Sequence, residues 1–284
     1  MRSPSSATRL IALLGNPVSH SVSPLFQNVA FEAAGVDGVY VALRCDAGAV
    51  PGLIVGIAGA GGGGNVTVPH KEAAAAAVQR RTEAVERTGA CNTYWSEGGA
   101  VWGDNTDVAG SARAIRALLG GPPTGARVLL LGAGGAARAA LAALADEGAA
   151  EVVLVNRTAE RAAALVERFR GAPFRLSVAG TGETPSGDFD LAINSTSLGL
   201  HADDPPPLAA EWAGRIHAGF DMAYRRGGTA WVRGLREVGI PAADGREMLL
   251  WQGVAAFERW WPVPAPVAAM RAALEASVGG DSSS

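Results

Sequence analysis

The sequence predicts an α/β fold in two domains, the second a Rossmann-type dinucleotide-binding domain. Three observations carry this. The chain has 284 residues, about two domains at roughly 150 residues each. Short aliphatic runs alternate with helical stretches along its length, the pattern of α/β layers. Val128 to Leu131 runs straight into Gly132-Ala133-Gly134-Gly135-Ala136-Ala137, and an Ala/Leu helix follows to about Glu147.

In the first half, Leu10 to Leu14 reads as a buried strand ending at Gly15-Asn16-Pro17. Ser23 is a suitable N-cap, Pro24 suits the first helical position and Gly35 a stop, which predicts a helix over Pro24 to Ala34. Val39 to Leu43 and Asn65 to Val68 read as strands, and Lys71 opens an Ala-rich helix to about Val78. Cys91 to Trp95 and Ala100 to Trp102 flank Ser96-Glu97-Gly98-Gly99 as a hairpin. A helix is expected over Val108 to Leu119, then a Gly/Pro linker over 120–125. Glu151 to Val155, Asp190 to Asn194 and Ala218 to Met222 read as further strands.

Composition narrows the function. Hydrophobic residues make up 48% and charged residues 18%, which suits a well-buried core rather than a disordered chain. The net charge of −3, with no basic run longer than two, argues against nucleic acid or a membrane surface as partner. Ala47 to Pro69 runs 23 residues without charge, but its eight glycines and two prolines suit a buried segment better than a bilayer span. The apolar stretch after the polar N-terminus is too short for a signal-peptide core. Cys45 and Cys91 have no metal or redox spacing, four scattered His complete no zinc pattern, and a reducing, cytoplasmic compartment is expected, with no metal. The tail 279–284 is expected to be disordered.

Of 24 Lys and Arg residues, 23 are Arg; Lys71 is the one lysine. In a chain that substitutes Arg for Lys so thoroughly, a surviving lysine is a candidate for chemistry that guanidinium cannot perform. Its plainer reading is a solvated helix residue. Asn is scarce too, and six of the seven fall in short polar clusters, mostly at expected strand ends or turns: Asn16, Asn65, Asn92, Asn105, Asn156 and Asn194.

The glycine turn lets the backbone approach a pyrophosphate at a helix N-terminus. An NAD site usually carries an acid at the end of the second strand. Here that place holds Asn156-Arg157-Thr158, with Arg161 one helical turn on. Guanidinium groups favour a 2′-phosphate through charge-assisted bonds, so NADP is preferred over NAD.

The clusters together resemble the NADP-dependent shikimate dehydrogenase family. The match rests on GNPVSHSVSP at 15–24, NVTVPHK at 65–71, GACNT at 89–93, NTD at 105–107, GAGGAAR at 132–138, NRT at 156–158, DMAY at 221–224 and DGREMLLWQ at 244–252, in the family's order. The resemblance implies an N-terminal α/β substrate domain, residues 1–107 with 247–284, and a Rossmann domain, 108–246, with an active-site cleft between them. It implies reversible NADPH-dependent reduction of 3-dehydroshikimate to shikimate. By motif position Lys71 and Asp107 would be the catalytic pair. Ser21, Ser23, Thr67, Asn92, Tyr224 and Gln252 would hold the substrate. Gly132, Ala133, Gly134, Gly135, Ala136, Asn156, Arg157, Thr158, Arg161, Met222 and Gly245 would hold the cofactor, and Glu83 is a weaker match for cofactor contact.

Residue chemistry agrees. Ketone reduction leaves a developing alkoxide that needs a proton and a nearby positive charge, and a lysine ammonium supplies both. Asp107 can orient Lys71, while its plainer reading is an N-cap of the helix that follows. Gln252 lies on an apolar helix, where a buried unpaired amide would call for a ligand. Two departures from the family pattern stand out. Gly64 replaces a bulky residue, so that loop is expected to pack loosely, and Asp104 adds a charge beside NTD. An NAD-linked quinate/shikimate dehydrogenase and a non-catalytic NADPH-binding paralogue stay open as alternatives. The partner is a small molecule, and a homodimer is compatible with this chemistry.

Overall fold

The computed structural model describes residues 4–180 and 185–278, so the tail expected to be disordered lies outside the described residues. These residues cluster into two compact units, 4–109 with 250–278, and 110–249.

The first unit is built on a six-stranded sheet. Its elements are β1 (Arg9–Gly15), α1 (Ser23–Ala34), β2 (Gly38–Arg44), α2 (Val50–Gly59), β3 (Gly63–Val66), α3 (Lys71–Ala77), β4 (Arg80–Arg81), α4 (Glu83–Thr88), β5 (Thr93–Glu97) and β6 (Ala100–Asp104). The order is β2-β1-β3-β5-β6-β4. β1 runs parallel to β2 and β3, whereas β5 is antiparallel to both β3 and β6. The expected hairpin is therefore present as β5–β6.

Helix α2 was not foreseen. It fills the uncharged stretch, burying Val50, Ile54 and Ala58 along one face at i, i+4, i+8 against Ala12, Leu14 and Val66. Among the described residues no helix is long and apolar enough to cross a membrane. Two local expectations are corrected. Ser23 is the first helical residue rather than the N-cap; Val22 takes the cap position, and no side chain caps the helix. β3 ends at Val66, so Thr67 and Val68 lie beyond the strand.

Gly64 does not pack loosely. It sits buried within β3, where an added Cβ would lie 2.0 Å from the Ala12 carbonyl oxygen and 2.6 Å from the Tyr94 hydroxyl. The Tyr94 ring from β5 occupies the room that a bulky side chain would need.

Helix α5 (Asp107–Leu119) leads into the second unit: β7 (Arg127–Leu131), α6 (Gly135–Asp146), β8 (Glu151–Val155), α7 (Ala159–Arg168), β9 (Arg175–Ala179), β10 (Leu191–Asn194), β11 (Gly219–Asp221), α8 (Ala230–Glu237) and β12 (Ala242–Ala243). Its sheet is wholly parallel, in the order β12-β11-β10-β7-β8-β9. Counted within the unit this is 6-5-4-1-2-3, the doubly wound Rossmann order, with the strand order reversing between β7 and β10. Its core strands are aliphatic because parallel strands are covered on both faces. The edge strand β9 escaped sequence reading because only its last residue, Ala179, is buried, so no buried apolar run marks it.

The chain returns to the first unit through α9 (Arg246–Trp260) and α10 (Val267–Val278). Trp260 and Trp261 pack on Phe31, with ring centroids 6.4 and 5.5 Å apart, and the Arg9 guanidinium lies 4.3 Å above the Trp261 ring. This aromatic contact fastens the C-terminal segment to α1 and β1.

Candidate active site

Sheet register collects the polar clusters of the first unit at one edge. Leu14 pairs with Val66, Asn65 with Thr93 and Thr93 with Asp104. Since β1 and β3 run one way and β5 the other, the segments just past Gly15 and Val66, just before Thr93 and just after Asp104 leave the sheet together. The carboxyl ends of parallel strands are where α/β sheets place ligands.

Lys71 and Asp107 meet at this edge. Lys71 Nζ donates to Asp107 Oδ2 at 2.5 Å, and Asn92 Nδ2 donates to Asp107 Oδ1 at 2.8 Å. The side chains of Lys71 and Asp107 are 20% and 9% exposed. Lys71 is thus paired with a nearly buried carboxylate, which rules out the solvated-helix reading. Asp107 is also not a cap: it is the first residue of α5, and Lys71 and Asn92 hold its two oxygens. The Asn92 amide cannot turn over, because its Oδ1 accepts from Thr106 N at 2.8 Å. Cys91 N donates to the Lys71 carbonyl, tying this strand end to the start of α3.

The neighbouring candidates are placed as follows. Ser21 lies between β1 and α1 and Ser23 opens α1, with Ser23 N donating weakly to Ser21 Oγ at 3.3 Å. Thr67 is half-buried, its backbone bonded to Leu14 and His70. Gln252 is buried on α9 but is engaged within the protein, so its burial alone supplies no argument for a ligand. Asp104 carries no free charge: both Arg259 Nε and Nη2 lie 2.9 Å from its Oδ2, and Thr82 Oγ1 and Asn105 N donate to Oδ1. Glu83 opens α4, is exposed, and lies 3.8 Å from Arg87. Asn65, expected among ligand groups, is consumed internally by Tyr40, Asn92 and Thr93. Tyr40, Thr93 and Thr106 were not singled out in the sequence; lone hydroxyls on strands carry no local signal.

In the second unit Gly132 follows β7 with φ +100, a conformation that favours glycine, and a Cβ there would lie 2.8 Å from Ser195 Oγ. Gly134 caps α6 through its backbone alone. An added Cβ at Gly134 or Gly135 would meet nothing of the protein, so these positions leave open space before the α6 amides, which suits a pyrophosphate. Ala133 and Ala136 are half-buried beside them, while Ala137 is fully buried under the helix. At the end of β8, Asn156 Nδ2 donates to the Thr158 carbonyl and shapes the turn, and Arg157 and Arg161 are exposed. No acid stands at the strand end. Met222 N bonds Asn194 O, and a Cβ on Gly245 would lie 2.3 Å from Met222 O, so these two segments pack backbone to backbone. Asp221 underlies them, accepting from Asn194, Thr229 and Ala223. Burial pushes its carboxyl up to about 6. Tyr224 is half-buried, and burial raises its phenol.

A Rossmann sheet with an open glycine turn, in one chain with a second α/β unit carrying a lysine–carboxylate pair, defines a two-domain nicotinamide-dependent oxidoreductase. Residues 13–94 match the shikimate dehydrogenase substrate binding domain, 119–198 match shikimate / quinate 5-dehydrogenase, and 245–275 match the shikimate 5′-dehydrogenase C-terminal domain. The chain belongs to the shikimate dehydrogenase family. It is 39% identical to the shikimate dehydrogenase (NADP(+)) of Moorella thermoacetica, over 98% of this chain and 96% of the relative. It is 42% identical to that of Rubrobacter xylanophilus, over 94% and 95%. Among solved structures, shikimate 5-dehydrogenase from Thermus thermophilus in complex with NADP(H) and shikimate is similar at a TM-score of 0.83 and 35% identity, over 95% of this chain and all of that one.

Proposed function

We propose that the chain catalyses the reversible NADPH-dependent reduction of 3-dehydroshikimate to shikimate. The observation that carries this is the pairing of the only lysine with a nearly buried carboxylate at the ligand edge of the first unit. Residues 1–107 with 247–284 form the substrate-binding catalytic domain, and 108–246 the NADP-binding domain; the division of contacts near residues 109 and 249 supports this.

Bound NADPH supplies the hydride. Lys71 holds positive charge beside the ketone oxygen and delivers the proton that the developing alkoxide takes up. Asp107 holds the ammonium in place and is itself held by Asn92, whose second amide N–H is left for a substrate hydroxyl. Ser21, Ser23, Thr67, Tyr224 and Gln252 complete the substrate set. Gly132 to Ala136 take the pyrophosphate, Asn156, Arg157, Thr158 and Arg161 the 2′-phosphate side, and Met222 and Gly245 the remainder, with Glu83 a lesser contact. The open glycine turn and the exposed arginine pair at the end of β8 fit NADP on the chain's own residues. The enzyme is proposed to be cytoplasmic; light scattering tests whether it forms a homodimer.

The test is turnover followed by nicotinamide absorbance with each pairing of NADP or NAD and shikimate or quinate. Turnover is expected with NADP and shikimate. A preference for NAD with quinate would favour the other dehydrogenase, and no turnover with any pair would make the chain a non-catalytic paralogue.

A further inference from the structure

The Asn92 amide that holds Asp107 is itself the end of a buried polar chain. Tyr40 Oη donates to Asn65 Oδ1 at 2.8 Å. Asn65 Nδ2 donates to the Asn92 carbonyl at 3.0 Å and to Thr93 Oγ1 at 2.9 Å. Thr93 Oγ1 lies 2.9 Å from Asn92 Oδ1 and 3.0 Å from Thr106 Oγ1, which in turn lies 3.0 Å from Asn92 Oδ1. Tyr40, Asn65, Asn92, Thr93 and Thr106 are each at most 6% exposed.

The proton order of this chain is determined by its donors. Asn65 spends both amide hydrogens on oxygens, so its own oxygen faces Tyr40, and Tyr40 must be the donor there. Burial raises the Tyr40 phenol far above its ordinary value, keeping that proton in place. Thr93 accepts from Asn65, so its proton is free for Asn92 Oδ1 or Thr106. Asn92 Oδ1 thereby faces donors only, and its amide nitrogen turns one hydrogen to Asp107 Oδ1. Such a set of polar groups in an apolar sheet is costly unless every member is bonded, and here the bonds run one way, toward the lysine–aspartate pair.

We propose that Asn65 and Thr93, with Tyr40 behind them, are positioning residues for the reaction, acting through Asn92 on the orientation of the Asp107 carboxylate and so on Lys71. This rests on the dehydrogenase reading above. None of the three touches substrate in this account; they keep the acid–base pair in register, where small misplacement is expensive in rate.

Thr93→Val deletes the hydroxyl at nearly constant shape, and Thr93→Ser keeps it. Steady-state kinetics and thermal melting are measured on the wild type, both variants and Tyr40→Phe. Thr93→Val is expected to lower kcat roughly tenfold with KM for shikimate and for NADP within about twofold, Tyr40→Phe to lower kcat by about half that factor, and Thr93→Ser to recover most of the rate. Tyr40→Phe retains the ring contacts with Phe31 and Trp260, so it carries the test if Thr93→Val does not fold. Melting shifts with kcat unchanged in the variants that fold would reduce the chain to a structural tie and overturn the inference alone. A folded wild type without turnover would overturn the dehydrogenase reading and the inference with it.

Discussion

Asp107→Asn separates the roles a carboxylate can play at the start of α5. As a helix cap, Asn serves about as well as Asp, and the exchange would be nearly silent. The observed geometry says otherwise. Asp107 accepts from two donors, Lys71 Nζ on one oxygen and Asn92 Nδ2 on the other. An amide offers one oxygen and one NH₂. Asn92 cannot turn to help, since Thr106 N holds its oxygen. One of the two donors therefore faces a donor. The lost hydrogen bond to a charged group contributes about 1.5–3 kcal/mol, and a buried donor left unpaired costs about 1–3 kcal/mol. Lys71 keeps some access to water, which relieves part of this, so a net loss of about 2–4 kcal/mol in unfolding free energy is expected. Turnover should fall on the order of 10²-fold or more, because the ammonium loses both its anchor and its counter-charge. Urea unfolding and kcat at saturating NADP and shikimate measure the two effects. Stability and kcat both near the wild-type values would refute the acid–base pair.

Four further outcomes follow from the same geometry. Lys71→Arg keeps the charge but cannot pass a proton near neutral pH, so kcat should fall on the order of 10²–10⁴-fold with NADPH binding retained; an amine-selective reagent mapped to Lys71 should inactivate the wild type, and full activity of either modified form would sink the mechanism. Arg157→Ala should weaken NADPH by about 1.5–3 kcal/mol and NADH much less, as read by fluorescence titration; equal weakening of both would remove Arg157 from the 2′-phosphate. Gly64→Ala drives a methyl into the Ala12 carbonyl and should lower stability by about 1–3 kcal/mol or more in urea unfolding, and a silent exchange would contradict the packing of Tyr94 over this glycine. Asp221 has its carboxyl raised by burial from 3.8 to about 6, so the folded state holds a proton that the unfolded state releases; its contribution to stability should fall as pH rises through that interval, and the melting temperature of the wild type relative to Asp221→Asn should fall with it. A difference between the two proteins that stays constant across that range would contradict the raised value.

Much of the second unit was legible because its signals are local. A strand, a glycine turn and a helix N-terminus occupy consecutive residues, and the absence of an acid after Val155 can be read without knowing the fold. The elements missed there, β9, α8 and β12, are short and partly exposed, so no continuous apolar run marks them. In the first unit the single lysine pointed to itself by composition, and Asp107 by its motif. Two of the readings that failed concerned what a side chain would meet. Gly64 looked like a loose spot because it stands where the family pattern has a bulky residue, yet the Tyr94 ring, thirty positions on, fills the space. Asp104 looked like a stray charge, yet it is neutralised by Arg259 across 155 residues of chain.

The sequence by itself therefore determined the α/β class, the glycine turn, the arginines after β8 and the lysine proposed for proton transfer, since each is set by residues a few positions apart. Only the tertiary structure decided that Asp107 anchors Lys71 rather than capping α5, that Asn65 is spent inside the sheet, and that Asp104 is neutral in effect. Those outcomes turn on register between strands that are far apart in the chain, and a hydrogen-bond partner is chosen by distance in space, which no local pattern encodes.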